Sequence, residues 1–552
     1  MILHTAQSDN YLEVSYINKE GGISVQEFDT KPWMWVLADE SKGDVPDTEF
    51  KNWDGRSVMK ESSPQFTDLG IREFLLHNID PEIQEELFAY RIPRVFAIDI
   101  EIDVRKASGF PDPMLAEFPI YSISITSPEL KTLMLCCDMS RKNEAPDSEI
   151  ENGLNEYFGK NEHAQKALAT FGKKKFEYSS IWFNTEKEML IFYWKLQKDV
   201  LHTVSAWNGY GFDYPYMAQR AKRLGINRLE IASPSASKEG KPPFEYLGNN
   251  NKAFKKDVKD MGKPIEVEEQ SMKGKVGNFA SIKYIRAFEV PLHRYEQDGM
   301  LRFVAYGGQN MLQSSALDTV AKAVIGIGKF PYAGSFVDLL TKETMVNFLT
   351  YGAIDTVLMK ILDTKVPHHL APLMRSFYSK ISVMEHAATI AIGSSLFFDA
   401  FYRKNMVYAE LRTHDERYAA KKARRDAAKE NYEGGYVKSP ARGVGKKVVL
   451  VDAKSLYPSA VRSMGYSPEN VLKTNLTREE IFEAIKQGHR VSMLGTSYDR
   501  DRFGIAAEVM NDLMNERAHF KGIALHFTNE TAEYLKKEIR RRSSLSNFTP
   551  YI

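Results

Sequence analysis

Residues 1 to about 93 alternate apolar and polar positions in short runs, YLEVSYI, ISVQEF and WMWVLA, separated by turn signals such as NKEGG, which predicts β-strands. RVFAIDIEI then reads as a buried strand closed by the turn-rich SGFPDP. Strand and helix patterns alternate from there to about residue 230, as in an α/β domain. The Lys- and Gly-rich stretch 233–277 breaks the pattern and reads as a long hairpin or a disordered excursion. Phe348, Ile354, Val357, Leu358 and Ile361 recur at helical spacing over 342–364. A polar, basic run follows at 402–430, whose simplest reading is a solvated helix face. The strand pattern KKVVLVDAKSLY comes next, and a helical tail begins near residue 505.

Composition narrows the class. At ~100–200 residues per domain, 552 residues suggest three to five domains. With 74 Lys+Arg against 73 Asp+Glu, bulk charge alone does not hold nucleic acid, although local basic patches remain open. The two cysteines, Cys136 and Cys137, exclude a disulfide scaffold and a Cys-based zinc module. There is no signal-peptide pattern at the start and no uninterrupted apolar run of 18 residues. The expectation is a soluble cytoplasmic protein with no membrane partner.

The candidate chemistry lies in carboxylates. A strand period of two puts Val95, Ala97, Asp99 and Glu101 on one face and Phe96, Ile98 and Ile100 on the other, with Asp103 continuing the first face if the strand lasts. Two neighbouring carboxylates on an apolar strand are costly without a cation or donors, and hard divalent cations such as Mg²⁺ would satisfy them. An ordinary exposed pair is the plain alternative. In AWNGYGFDYPYMAQR, Asn208, Phe212 and Asp213 form N-x₃-F-D, and Asp213 before Pro215 also reads as a helix N-cap. In YGAID, Tyr351 and Asp355 stand four apart on one helix face. N-x₃-F-D would arise by chance roughly once in fifteen such chains and Y-x₃-D about once or twice in each, so none of these short matches decides alone.

One segment is far more specific. Asp452-Ala453-Lys-Ser455-Leu456-Tyr457-Pro458-Ser459 matches D-x-x-S-L-Y-P-S at six positions, a coincidence on the order of 10⁻⁵ for such a chain. This sequence resembles the family B DNA polymerases, especially the replicative enzymes of tailed bacteriophages, where the segment is the first palm motif. The weaker pieces fall into that family's order. Asp99/Glu101, Asn208-Phe212-Asp213 and Tyr351/Asp355 resemble its three 3′→5′ exonuclease motifs, and LDTVAKAVIGIGK from Leu317 resembles the segment before the third. Tyr432-x-Gly434-Gly435 resembles the element that contacts template DNA, and Asn515-Glu-Arg517 to Lys521 resembles a fingers helix.

The resemblance implies an α/β multidomain fold. An N-terminal domain would span 1–93, with 368–410 packing back on it. A ribonuclease-H-like exonuclease would span 94–367, a partial palm 411–503 and partial fingers 504–552. It implies that Asp99, Glu101, Asp213 and Asp355 hold two Mg²⁺ or Mn²⁺ ions, with Tyr351 orienting the attacking water. In the palm it implies two ions on Asp452, a carbonyl ligand from Ala453, triphosphate on the N–H groups of Ser455 and Leu456, and Tyr457 beneath the sugar. Arg517 and Lys521 would meet phosphate oxygens. The implied partners are primer-template DNA, single-stranded 3′ ends and dNTPs, with a sliding clamp and a single-stranded-DNA-binding protein by family habit. The sequence lacks the family's K-x₃-N-S-x-Y-G and D-T-D motifs. The expectation is therefore a polymerase portion completed in trans by a second chain. The competing readings are a stand-alone exonuclease with a vestigial palm and a silent DNA-binding subunit.

Overall fold

The computed structural model describes residues 2–7, 10–64, 66, 68–105, 109–233, 244–246, 289–291, 293–306, 314–331, 340–341, 344–380, 389–409, 422, 449, 455–492 and 494–545. They form a mixed α/β chain with two compact units: 1–32 with 71–392, and 33–70 with 393–552. The first 93 residues are thus shared between the units.

In the first unit, β1 (Ile2–Gln7), β2 (Tyr11–Ile17) and β3 (Ile23–Asp29) form an antiparallel sheet, the last two where YLEVSYI and ISVQEF predict strands. Ile2, Leu12 and Val14 pack on Leu75 and Leu87, and Leu3 and Ile17 pack with Tyr295 and Leu373. The body of the unit is a six-stranded sheet built from β4 (Val95–Ile102), β5 (Ile120–Thr126), β6 (Lys131–Cys136), β7 (Glu177–Trp182), β8 (Thr203–Ala206) and β9 (Tyr295–Asp298). Its order is β7-β6-β5-β4-β8-β9. Only the pairings of β5 with β4 and with β6 are antiparallel; the others are parallel.

The sheet is buried on both faces. Phe96, Ile98, Ile100 and Ile102 enter one core, with Tyr193, Trp194 and helix α2 (Asp213–Arg223). Ala97 faces the other core, filled by α1 (Asp147–Phe158), α3 (Leu317–Ile325) and the long α4 (Met345–Lys365). This is the face division that a period of two predicts. Helix α4 packs across β4, β5 and β6. It is apolar and long enough to cross a membrane by composition, yet it lies mostly inside the protein and carries Asp355 and Lys360. Within 233–277, only Ser233 and Phe244–Tyr246 are described, the latter pairing antiparallel with Glu289–Pro291; the rest lies outside the described residues.

In the second unit, Trp33–Leu37 pairs antiparallel with Val58–Ser62, and Lys51–Asn52 pairs parallel with Met406–Val407. Trp35, Phe50, Val58 and Val407 form its core, and Tyr402 stacks on Phe50 at 4.9 Å. Helix α5 (Leu456–Met464) leads into a small three-stranded sheet and then α6 (Ile505–Leu545), the helical tail legible in the sequence. The free N–H groups at the start of α6 are met from a distance. Glu469 Oε1 accepts from Ile505 at 2.7 Å and Ser467 Oγ from Ala506 at 3.0 Å, tying α6 to the end of α5. The basic run 402–430 is described only at 402–409 and 422, and KKVVLVDAKSLY only at Val449 and from Ser455.

Candidate functional site

Strand β4 outlasts its parallel neighbour. Strand β8 pairs with Val95 to Ala97 and ends at Ala206, so Asp99 and Glu101 lie past its last register pair. On the other side they stand opposite Ser124 and Ser122 of β5. Asp103 falls beyond the strand and pairs with Arg105 at 2.6 Å, so it does not extend the cluster.

After β8 the chain turns at Asn208, whose φ of 63° is the left-handed conformation asparagine tolerates. Its carbonyl accepts from Gly211 at 2.9 Å and Phe212 at 3.0 Å, and α2 begins at Asp213. Asp213 is therefore not an N-cap; that position belongs to Phe212, and the Asp213 side chain is buried. Burial raises its pKa to about 7, and the backbone N–H groups of Asp213 itself and of Ile100 on β4 pull the other way.

Helix α4 brings the fourth carboxylate. Asp355 is buried, and its oxygens with those of Asp99 and Glu101 give three ligand atoms all within 4.8 Å of one another. Asp213 does not belong to that trio, but it faces Asp99 closely enough to raise its pKa.

A residue that motif reading left unassigned completes the cluster. Lys329 Nζ lies 2.6 Å from Asp355 Oδ2 and 3.4 Å from the hydroxyl of Tyr351. Its turn is tightly held. Asp318 Oδ1 accepts from the Lys329 N–H at 2.8 Å, and Tyr157 donates to the carbonyls of Gly328 and Lys329 at 2.8 and 3.0 Å. Gly328 lets Asp318 approach, since a Cβ there would lie 2.1 Å from Asp318 Oδ1 and displace the carboxylate that holds the turn. The signal in the sequence was the Gly-Ile-Gly-Lys turn after α3, although nothing local says where its lysine points.

The electrostatics follow from crowding. Burial raises the pKa of Asp99, and Asp213, Glu101 and Asp355 raise it further. Burial and Asp355 push Glu101 up to about 8, against the pull of Lys329. Burial also raises Asp355, again opposed by Lys329. Burial alone would depress the Lys329 ammonium, but Asp355 and Asp99 hold it above the ordinary lysine value. Asp298, a further buried carboxylate at the end of β9, accepts from Tyr210 and Leu301 N–H groups and adds its field to Asp213. One ammonium among so many carboxylates leaves negative charge uncompensated. Asp355 Oδ1 is buried with no hydrogen-bond partner among the described residues. Hard oxygen ligands, excess negative charge and an unpartnered inward oxygen suit divalent cations. Beside this cluster, Phe110 is exposed and packs on Phe212 with ring centroids 5.1 Å apart.

In the second unit, Ser455 sits at the start of α5 with φ 52°, and Leu456 and Tyr457 are exposed, Tyr457 at 82%. Arg517 and Lys521 are exposed on α6. Asp452, Ala453, Tyr432, Gly434 and Gly435 lie outside the described residues.

The chain belongs to the family B DNA polymerases. Residues 76–261 match that family's exonuclease-domain model, and residues 380–537 match its polymerase model. The chain is similar to the DNA-directed DNA polymerase of Escherichia phage RB69, 22% identical over 534 residues, covering 92% of this chain and 52% of the relative. The enzyme of Enterobacteria phage T4 is 22% identical over 573 residues, covering 98% and 56% respectively. The Thermococcus gorgonarius DNA polymerase is 25% identical over 346 residues, 61% of this chain and 36% of that one. The chain thus spans about half the length of the curated phage relatives it matches.

Proposed function

We propose that the first unit removes nucleotides from the 3′ end of single-stranded DNA by metal-assisted hydrolysis. The observation that carries this reading is the convergence of Asp99, Glu101 and Asp355 oxygens within 4.8 Å, beside a buried Asp213. The strand order, with only β5 antiparallel to its neighbours, supports a ribonuclease-H-like description of the unit. Asp99, Glu101, Asp213 and Asp355 would hold two Mg²⁺ or Mn²⁺ ions, which supply a water of lowered pKa and stabilise the departing 3′ oxygen. The Lys329 ammonium, a third exposed, offers a fixed positive charge to a phosphate oxygen. Tyr351, held beside Lys329, orients the water. Phe110 and Phe212 offer aromatic faces on which an unpaired base can stack. A frayed or mismatched end would enter at lower melting cost.

The second unit is proposed to contribute part of a polymerase site for primer-template DNA and dNTPs. Asp452 and Ala453 would be its metal ligands and Tyr432, Gly434 and Gly435 its template contacts. The N–H groups of Ser455 and Leu456, Tyr457 under the sugar, and Arg517 and Lys521 would receive the triphosphate. The second palm carboxylate must come from outside these 552 residues, whether on the same polypeptide or on a second one.

The test is hydrolysis of a single-stranded oligonucleotide in Mg²⁺. Asp99→Ala should lower the rate by several orders of magnitude while DNA binding persists. Undiminished hydrolysis by Asp99→Ala/Glu101→Ala would overturn the reading.

A further inference from the structure

Helix α4 meets the sheet through a row of small and polar residues one turn apart. Gly352, Thr356 and Lys360 lie at i, i+4 and i+8, and Asp363 ends the row. Gly352 packs against Glu101. Thr356 Oγ1 lies 2.8 Å from the hydroxyl oxygens of both Ser124 and Thr126 on β5. Lys360 Nζ donates to the carbonyl of Val95 on β4 at 3.1 Å and lies 3.3 Å from Asp363 Oδ2. Asp363 Oδ1 lies 2.8 Å from His369 Nδ1, and His369 Nε2 lies 2.8 Å from Ser205 Oγ on β8. Thr356, Lys360, His369 and Ser205 are all buried.

Asp363, His368 and His369 have potential ligand atoms within 4.8 Å of one another, which is metal-like spacing. Yet both Asp363 oxygens and both His369 nitrogens are engaged with the neighbours just named. The cation at this place is the Lys360 ammonium.

Burial of apolar surface is non-directional, so a smooth helix could slide along a sheet at little cost. Hydrogen bonds are directional and weaken steeply with misalignment. The row binds α4 at successive turns to β4, β5 and β8. The strand that takes Lys360 at Val95 is the strand that carries Asp99 and Glu101. We infer that Lys360, braced by Asp363, His369 and Ser205, is a positioning residue that sets the axial register of α4 and so the place of Asp355 beside Asp99 and Glu101. This rests on the proposed metal-holding role of those carboxylates.

The experiment titrates Mn²⁺ into the full chain and follows the free ion by electron paramagnetic resonance. Lys360 is about 7.5 Å along the helix from Asp355, five residues at 1.5 Å each. Through charge alone, Lys360→Met would strengthen cation binding; loss of register weakens it. The expected result is Mn²⁺ affinity roughly tenfold weaker in Lys360→Met, the scale on which outer partners of metal ligands act. Lys360→Arg should recover most of that loss. Thr356→Val, isosteric and uncharged, should also weaken binding, and it carries the test if Lys360→Met does not fold. Unchanged or tighter Mn²⁺ binding in a folded Lys360→Met or Thr356→Val variant overturns the inference, even if its melting temperature falls. A wild-type chain that binds no Mn²⁺ overturns the reading of the site itself.

Discussion

Replacing Lys329 with methionine removes the ammonium while keeping much of the stem. In the metal-free protein Asp355 then loses the ammonium that lies 2.6 Å from its Oδ2, within a cluster crowded with carboxylates. At an effective dielectric of 20 the lost attraction is about 6 kcal/mol before desolvation is counted. Removing one partner of a buried pair costs about 3–5 kcal/mol net. Because the Lys329 side chain is 34% exposed, screening brings the expected loss to about 2–3 kcal/mol. For a unit of this size, at about 2.1 cal/mol/K of unfolding entropy per residue, that corresponds to a melting temperature lower by roughly 3–4 °C in EDTA. In saturating Mg²⁺ the carboxylates gain another cation and the difference should shrink. Mn²⁺ should bind more tightly as hydrolysis slows, since a competing charge has left while a phosphate contact is lost. Thermal scans in EDTA and in Mg²⁺, beside a Mn²⁺ titration, read all three effects. An unchanged melting temperature in EDTA, or an equal drop in both conditions, would refute the reasoning.

Two further outcomes are expected. Glu101 is pushed up to about 8, Asp213 to about 7 and Asp298 to about 6, so these carboxyls hold protons between about pH 4 and 8 that the unfolded chain releases, while buried His202 and His368, pushed down to about 4 and about 3, oppose them only below about pH 6.5. Stability in EDTA should therefore fall as pH rises through that window, and Mg²⁺ should flatten the fall; urea midpoints at pH 5, 7 and 8.5 measure it, and a rise with pH would contradict it. Glu186 and Arg220 form a buried pair in which Arg220 also donates to the carbonyls of Ala116 and Glu117, and Glu186 accepts from the Ile120 N–H. Glu186→Gln should cost about 3–5 kcal/mol in urea denaturation, and a loss below about 1 kcal/mol would show the pair to be dispensable.

What was legible in the sequence depended on range. The strand faces around Asp99 and Glu101 could be read because period two is a local property, and Phe348 through Ile361 announced α4 for the same reason. The turn residue Asn208 was visible as a motif member, but the burial of Asp213 was not, because an aspartate before a proline reads equally well as a cap. Lys329 and Asp298 acquire their meaning only through residues tens to hundreds of positions away. The same is true of Thr356 and Lys360, which look like polar interruptions of an apolar helix until β4 and β5 are placed against them.

Thr356 and the Ser124 it touches are 232 residues apart in the chain. At a synthesis rate of roughly 5–20 residues per second, β5 leaves the ribosome some 12–45 s before α4 exists. During that interval Asp99 and Glu101 have neither Asp355 nor Lys329 beside them, and the sheet face that α4 will cover is open. Until α4 arrives, the proposed metal site lacks one of its carboxylates. Apolar surface left open in this way is the kind on which growing chains associate wrongly.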